Sequence, residues 1–175
     1  MPDMRYVAPK GTHDILPAGN DRKDWADDIE KWHWLESVFQ DLCARYGYEE
    51  VRTPTFEATD LFKRAVGEGT DIVNKEMYSF VTKGGDDITL RPEGTAPTLR
   101  AYVQNRVWIE RPVAKLYYVA SIFRYERQQK GRYRQHHQVG VEALGAQGPD
   151  IDAEVISLAM AFFRALGIPR LTLKL

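Results

Sequence analysis

The sequence predicts an α+β fold in which antiparallel strands are flanked by helices. Two observations support it: apolar residues recur at helical spacing near both ends of the chain, and extended runs joined by glycine-containing turns lie between them. Extended runs joined by so short a turn pair as antiparallel hairpins. The chain has 175 residues, which suits one domain or part of a larger one.

Three segments are predicted as helices. The first runs from about Asp21 to Tyr46, where apolar residues three and four apart form one stripe and Gly47 offers a C-cap. This stripe packs either on the chain's own core or, in part, on a partner subunit. In "EGTAPTLRAYVQNRV", Thr95 is the predicted N-cap and Pro97 fits the first turn. "GPDIDAEVISLAMAFFRALGIP" has acids in its first turn and a Gly-x-Pro stop.

The strands are predicted from alternation and from their turns. "YEEVRTPTFE" reads as extended, with Pro54 suited to an edge strand. "EMYSF" and "DITLRP" form a hairpin around "VTKGGD", and "AKLYYVASIFRYER" pairs with "RQHHQVGVEALG". "RLTLKL" begins a further strand, in which the sequence stops without a turn or polar tail. We therefore expect a chain that continues beyond Leu175.

Composition excludes several classes of protein. There are 24 Lys and Arg residues and 25 Asp and Glu residues, so the net charge gives no electrostatic attraction to nucleic acid or to an anionic membrane. The single cysteine, Cys43, excludes an intrachain disulfide and a cysteine-based zinc site. No apolar run approaches the roughly 20 residues that cross a bilayer, and the start lacks a signal-peptide pattern. We expect a cytoplasmic protein with no membrane contact and no metal-binding residues.

The second hairpin concentrates charge, with five cations and one acid, Glu126, in the eleven residues from Arg124 to Arg134. Side chains on a strand alternate between its faces. One face carries Arg134, His136, Gln138, Gly140 and Glu142, and the other carries Val139, Val141 and Ala143. The polar face is either the ordinary solvent side of a half-buried strand or a site for a zwitterionic ligand. In the second case, Gly140 would let the ligand approach the backbone.

Three further features are compatible with a ligand that carries phosphate, carboxylate or ammonium groups. Arg124 follows apolar residues on its strand face, and a lone buried charge is costly unless a phosphate or carboxylate pairs it. The turn "RQQKGRYR" is either a solvated basic turn or a clamp for the phosphates of a nucleotide or an RNA end. "LRPEGT" either caps a helix or offers Glu93 and Thr95 to a substrate ammonium. Neither "GxxxxGK[ST]" nor "GxGxxG" occurs, so an antiparallel sheet would hold any ATP.

Taken together, these motifs resemble histidyl-tRNA synthetases from about Pro9 to the last residue. The resemblance lies in "PKGTHDILP", "VRTPTFE", "LRPEGTAPTLRAYVQ", "FRYERQQKGRYRQHHQVGVEALG" and "GPDIDAEVISLA". "FRYER" with "KGRYRQ" is similar to the second motif of class II synthetases, and the long helix ending near Pro54 resembles the first. Residues 1–175 would then be the amino-terminal portion of a truncated class II catalytic domain. The third motif and the anticodon-binding domain would lie beyond Leu175.

The resemblance also implies residue roles. Arg124 would be catalytic, contacting the α-phosphate of ATP and the substrate carboxylate. The residues implied for histidine are Glu93, Gly94, Thr95, Arg124, Gln138 and Glu142. The residues implied for ATP are Arg124, Glu126, Arg132 and His136. His136 stands where the family usually has a phenylalanine that stacks on adenine, and Gln128 where it often has a proline.

The implied activity is that of a histidine–tRNA ligase, a homodimeric enzyme. Histidine and ATP would form histidyl-adenylate, usually with Mg²⁺, and histidine would then pass to tRNA(His). We expect residues 1–175 alone to be inactive. One alternative is a non-catalytic, synthetase-like regulatory subunit of ATP phosphoribosyltransferase, which typically loses parts of the basic hairpin. A plain RNA-binding domain is the other alternative, and the net charge of −1 argues against it.

Overall fold

The computed structural model describes residues 6–17, 28–66, 76–127, 129 and 131–174. The described elements are, in chain order, α1 (Ile29–Arg45), β1 (Glu49–Glu50), β2 (Phe56–Ala58), α2 (Thr59–Val66), β3 (Tyr78–Val81), β4 (Asp87–Leu90), α3 (Thr95–Gln104), α4 (Val107–Glu110), β5 (Ala114–Phe123), β6 (Gln135–Leu144) and α5 (Pro149–Ala165). None of these helices is both long and apolar enough to cross a membrane.

The described strands form two three-stranded sheets. In the first, β5 lies between β1 and β6 and pairs antiparallel with β6 along its whole length, from Ala114 opposite Leu144 to Phe123 opposite Gln135. The short β1 runs parallel to β5. In the second sheet, β4 lies between β2 and β3, and both pairings are antiparallel. The α+β class and both predicted hairpins are therefore confirmed.

The main core lies between the first sheet and helices α1 and α5. Phe39 of α1 packs edge-on against Tyr117 of β5 and Phe162 of α5, with ring centroids 5.9 and 5.2 Å apart. The odd-numbered β6 residues, Val139, Val141 and Ala143, pack on this cluster, as their alternation predicted. Leu35, Val38 and Leu42 of α1 pack there as well, together with Tyr46 just after the helix, so the apolar stripe of this helix covers the chain's own core.

The helix ends are set by local polar contacts. The side chain of Asp28 accepts a hydrogen bond from the backbone N–H of Glu30 at 3.1 Å and so caps α1. The predicted start at Asp21 lies outside the described residues. Gly47 follows the last turn at φ 76°, a left-handed conformation that favours glycine, which confirms the predicted stop. Helix α5 begins at Pro149 and ends just before the predicted glycine.

Three predictions about local structure are wrong. Thr95 is the first residue of α3 and not its cap, because the longer Glu93 side chain reaches the first N–H groups of the helix. Pro54 lies in the loop between β1 and β2 and belongs to no strand. Residues 171–174 of "RLTLKL" form no strand, because their backbone pairs with no strand of the described chain.

Candidate functional site

Arg124 lies at the end of β5, where the two long strands begin to diverge. Its backbone N–H donates to the carbonyl oxygen of Arg134 at 2.9 Å, and its Nε donates to the carbonyl oxygen of Pro92 at 2.7 Å. Its NH1 lies 3.9 Å from Oε1 of Glu126, too far for a hydrogen bond. Within the described residues, the two terminal nitrogens of this guanidinium therefore remain available to a ligand. They are the pair that binds a carboxylate or phosphate in bidentate geometry.

Glu126 lies between two arginines. Its Oε2 is 3.2 Å from NH1 of Arg132, and its Oε1 faces Arg124. Arg132 is 62% exposed, whereas Glu126 is only 16% exposed. The backbone N–H of Arg132 donates to the carbonyl oxygen of Gln129 across the turn. The turn therefore carries an exposed cation close to Arg124, although its residues 128 and 130, including the predicted proline replacement Gln128, lie outside the described chain.

His136 stands beside Arg124 on the polar face of β6, opposite Ile122 in the strand register. Burial and then the positive charge of Arg124 lower the pKa of His136, and the carboxylate of Glu126 offsets part of this effect. The imidazole is therefore neutral at neutral pH. A neutral, half-buried ring can stack on an aromatic base without bringing a second positive charge next to Arg124.

Gln138 lies two residues further along the same face, opposite Ala120. Its Oε1 is buried and has no hydrogen-bond partner within the described chain. Leaving a buried acceptor unpaired costs about 1–3 kcal/mol, so such atoms are rare in folded proteins. A ligand with an N–H group would satisfy this atom.

Two carboxyl groups flank the start of α3. Glu93 accepts hydrogen bonds from the backbone N–H groups of Thr95 and Ala96, at 2.6 and 2.8 Å, and so fixes its carboxylate at this corner. Burial raises the pKa of Glu142 and the nearby Glu93 carboxylate raises it further, while a hydrogen bond with the Thr95 side chain offsets part of the change. Glu142 therefore lacks a cationic partner among the described residues, and a bound ammonium would supply one.

The structure corrects the predicted role of Gly140. The ring of Tyr118, directly opposite on β5, fills the space above this glycine, so no ligand reaches the backbone there. The same ring covers Gly94, which is buried under it. In the sequence, Tyr118 is one of the otherwise apolar residues that precede Arg124 on its strand face. The strand register provides the signal, because it places Tyr118, the largest side chain on this face of β5, opposite Gly140, the only glycine of β6.

The segment around Gly11 also belongs to the site and was not predicted to contact it. The backbone N–H of Arg134 donates to the carbonyl oxygen of Gly11 at 2.7 Å, and the Arg134 side chain lies against Gly11. His13 packs on Tyr133 with ring centroids 4.5 Å apart. The amino-terminal segment thus packs against Tyr133 and Arg134 at the end of the basic turn. The only indication of this segment in the sequence was its "PKGTHD" motif.

The nine predicted site residues belong to three parts of the described chain: the corner that leads into α3, the segment that joins β5 to β6, and β6 itself. They are Glu93, Gly94, Thr95, Arg124, Glu126, Arg132, His136, Gln138 and Glu142. A separate cavity of about 360 Å³ lies at the edge of β5 and is lined by Glu36, Arg52, Arg91 and His137 among others. None of the nine lines it. The described residues hold no group of three His, Cys, Asp or Glu side chains that could bind a metal ion.

Comparison with known proteins identifies the family of sequences that this chain matches. A sequence model of the family described as histidyl-tRNA synthetase matches residues 23–175. The chain is 47% identical over 172 residues to a histidine–tRNA ligase of Alkaliphilus oremlandii and 53% identical over 172 residues to one of Listeria innocua. These alignments cover 98% and 97% of this chain but only 39% and 38% of the relatives. The chain therefore spans less than half the length of the curated relatives it matches.

Solved structures agree on the fold. The histidyl-tRNA synthetase of S. aureus, in its apo form, matches with a TM-score of 0.75 and 40% identity, over 94% of this chain and 35% of that protein. A Bacillus halodurans protein described as an ATP phosphoribosyltransferase regulatory subunit/histidyl-tRNA synthetase also gives a TM-score of 0.75, over 95% of this chain and 39% of its own. At 23% identity, the second likeness concerns the fold alone.

Proposed function

The chain belongs to the histidyl-tRNA synthetase family, and we propose that residues 1–175 form the amino-terminal part of the class II catalytic domain of a histidine–tRNA ligase. The whole enzyme would activate histidine with ATP and transfer it to tRNA(His). The observation that carries this proposal is the arrangement around Arg124. A guanidinium with two available nitrogens shares a strand face with a neutral imidazole, an unpaired amide oxygen and a carboxyl group without a cationic partner.

This face suits an amino acid in its zwitterionic form. The carboxyl group of Glu142, the Oε1 of Gln138 and the hydroxyl of Thr95 are acceptors for the α-ammonium group. Arg124 is the donor for the α-carboxylate. Glu93 would act on the ammonium through its charge, since its oxygens already hold the N–H groups of α3. Binding gives the Gln138 oxygen a hydrogen-bond partner and places a cation beside the Glu142 carboxyl group. In the ligand-free site, both groups lack such a partner among the described residues, which costs free energy.

The same arginine suits the chemistry of activation. A carboxylate oxygen of histidine attacks the α-phosphorus of ATP, the bond from that phosphorus to the bridging oxygen breaks, and pyrophosphate leaves with the bonding electrons. Arg124 would hold the attacking carboxylate and the α-phosphate together and stabilise the negative charge that gathers on the phosphorus oxygens. The hydrogen bond to Pro92 keeps its side chain in place for both contacts.

ATP would extend from Arg124 along the hairpin. His136 would stack on the adenine, Arg132 would reach the phosphates from the turn, and Glu126 would hold the two arginines at their spacing. Mg²⁺ would arrive as the counterion of the nucleotide, since Mg²⁺ is usually bound by phosphates with one or two carboxylates. The described residues supply no site that binds a metal without the nucleotide.

The remaining features of the proposal concern the whole protein. As in the family that the chain resembles, we expect a cytoplasmic homodimer that binds tRNA(His), with α1 near the subunit interface. The regulatory-subunit alternative is less favoured. That alternative typically loses parts of the basic hairpin, whereas this chain has Arg124, Glu126, Arg132 and Glu142.

Histidine-dependent exchange of pyrophosphate into ATP tests the proposal, with the full-length parent protein as the enzyme. We expect exchange with histidine and none with glutamine, lysine or phenylalanine at the same concentration. If the full-length protein folds and binds phosphoribosyltransferase partners but shows no exchange with any amino acid, the proposal is overturned. That result would favour the regulatory subunit.

A further inference from the structure

The ring of Tyr118 is wedged between two elements that are distant in sequence. A Cβ added to Gly94, which immediately precedes α3, would lie 2.7 Å from the Oη of Tyr118 and closer still to its ring carbons. A Cβ added to Gly140 of β6 would lie 2.8 Å from Cε2 and closer to Cζ and Oη. Real Cβ atoms do not approach other atoms so closely, so both positions require glycine while Tyr118 is present. The same edge of one ring therefore touches α3 and β6.

The hydroxyl of Tyr118 lies among the polar groups of the proposed amino-acid site. The side chain is 5% exposed. Burial raises the pKa of Tyr118 to about 12, helped by the charges of Glu142 and Glu93 and opposed by a hydrogen bond with Thr95. The hydroxyl is thus protonated at neutral pH, with the Thr95 hydroxyl and the carboxyl groups of Glu93 and Glu142 near it.

We propose that Tyr118 is the positioning residue that sets the distance between the two halves of the histidine site, the Glu93–Thr95 corner of α3 and the Gln138–Glu142 segment of β6. The ring fixes how closely α3 approaches the sheet, and the hydroxyl orients Thr95 toward Glu142. This inference rests on the proposed function, since it assigns no ligand of its own. It extends that function to a residue that makes no contact with the adenylate chemistry at Arg124.

The position of Tyr118 predicts which kinetic constant it controls. Tyr118 is six residues before Arg124, so the Cα atoms of the two residues are roughly 20 Å apart at the rise of a strand, whereas the Arg124 side chain reaches the Pro92 carbonyl oxygen beside the Glu93 corner. His136 and Arg132 lie at the Arg124 end as well. A change at Tyr118 therefore acts on the amino-acid end of the site and leaves the nucleotide end unchanged. A residue that merely stabilised the fold would not change the KM for histidine while leaving the KM for ATP unchanged.

The first test is Tyr118→Phe in the full-length protein, because phenylalanine keeps the wedge and removes only the hydroxyl. We expect the KM for histidine in pyrophosphate exchange to rise about two- to twelve-fold, the effect of one hydrogen bond. The KM for ATP should stay within about twofold of the wild-type value, below the effect of one lost hydrogen bond. An unchanged KM for histidine, or an equal rise in both constants, would overturn the inference. If wild-type protein shows no exchange with histidine, the proposed function fails first and this inference fails with it.

The second test examines the wedge without reference to activity. Gly140→Ala should lower the melting temperature of the full-length protein, because the new methyl group overlaps the Tyr118 ring. Adding Tyr118→Leu to this variant should recover part of the loss, since leucine lacks the outer ring atoms. Gly84→Ala is the matched control, because its Cβ would meet neighbours only at ordinary contact distance, 3.5 Å or more. If the two substitutions at positions 118 and 140 are additive, the wedge does not couple β5 to β6 and the inference is wrong.

Discussion

Arg124 is bound to Pro92 through a hydrogen bond from its Nε to the proline carbonyl oxygen at 2.7 Å. This bond joins the cationic end of β5 to the loop that carries Glu93 and leads into α3. The carboxylate of Glu93 in turn holds the first N–H groups of that helix. The group proposed to bind the substrate carboxylate and the corner proposed to bind its ammonium are therefore tied together before any ligand arrives. Such preorganisation lowers the entropy lost on binding.

The first prediction concerns Glu142, whose pKa is raised above the ordinary value of 4.5. The folded state binds the Glu142 proton more tightly than the unfolded state, so the stabilisation from this proton is lost as pH rises through the folded-state pKa. Glu142→Gln should therefore stabilise the chain at pH 7 and have little effect at about pH 3, where glutamate is protonated in both states. The melting temperatures of the two proteins at both pH values measure this difference.

A control and a functional readout complete the Glu142 experiment. Asp41→Asn, at an exposed position on α1, should show no comparable pH-dependent gain. In the full-length protein, Glu142→Gln should weaken histidine binding even as it stabilises the fold, because the ammonium loses its anionic partner. A variant that is less stable than wild type at pH 7 would contradict the burial of an unpaired carboxyl group.

A second prediction concerns the pH dependence of ATP binding through His136. Burial and Arg124 lower the pKa of this imidazole below 6.5, so it carries a positive charge only in more acidic solution. ATP affinity of the full-length protein should therefore be flat above about pH 6.5 and should change as His136 is protonated below it. His136→Phe should remove the change and keep the affinity at pH 7, since phenylalanine stacks equally well.

Calorimetric titration with ATP across this pH range provides the measurement. His33→Phe is the control, because His33 is exposed on α1 and lies outside the site. His136→Ala should weaken ATP binding at every pH. If His136→Ala binds ATP as tightly as wild type does, the stacking role is wrong.

The third prediction concerns the attachment of the hairpin to the amino-terminal segment. Gly11 adopts φ 87° and has the Arg134 side chain against it, so Gly11→Ala introduces both backbone strain and overlap. We expect the contact between Gly11 and Arg134 to loosen and trypsin to cleave faster after the arginines of residues 124–134. Gly131→Ala is the matched control, since φ at Gly131 is 78° but no atom lies within 4 Å of its added Cβ. Equal cleavage in the two variants would argue that backbone strain alone is responsible.

The strand alternation correctly predicted which side chains of β6 face the core. It separated Gln138 and Glu142 from Val139 and Val141, and the structure confirms that the valines face the core. The parity rule works here because β6 is regular over its whole length and pairs with β5 without a bulge. Local spacing in the sequence was sufficient to decide which side chains share a face.

What the sequence left undetermined depends on contacts between distant segments. Thr95 was predicted to cap α3, but the side chain of Glu93 binds the first N–H groups of this helix. Glu93 lies two positions before Thr95, and composition does not specify the loop geometry that lets its side chain reach the helix. The space beside Gly140 was predicted to be open, because nothing in β6 itself indicates that Tyr118 lies across from it. The strand predicted in "RLTLKL" failed because a strand forms only beside a partner.

The central claim is that Arg124 binds both reacting groups, and pyrophosphate exchange on the full-length Arg124→Ala protein tests it most directly. We predict that histidine-dependent exchange falls by about tenfold to a hundredfold or more, because the lost contact acts in both binding and the transition state. Arg127→Ala, which removes an exposed cation from the same turn, should leave exchange near the wild-type rate. Near-wild-type exchange by a folded Arg124→Ala protein, or an equal loss in Arg127→Ala, would contradict the claim.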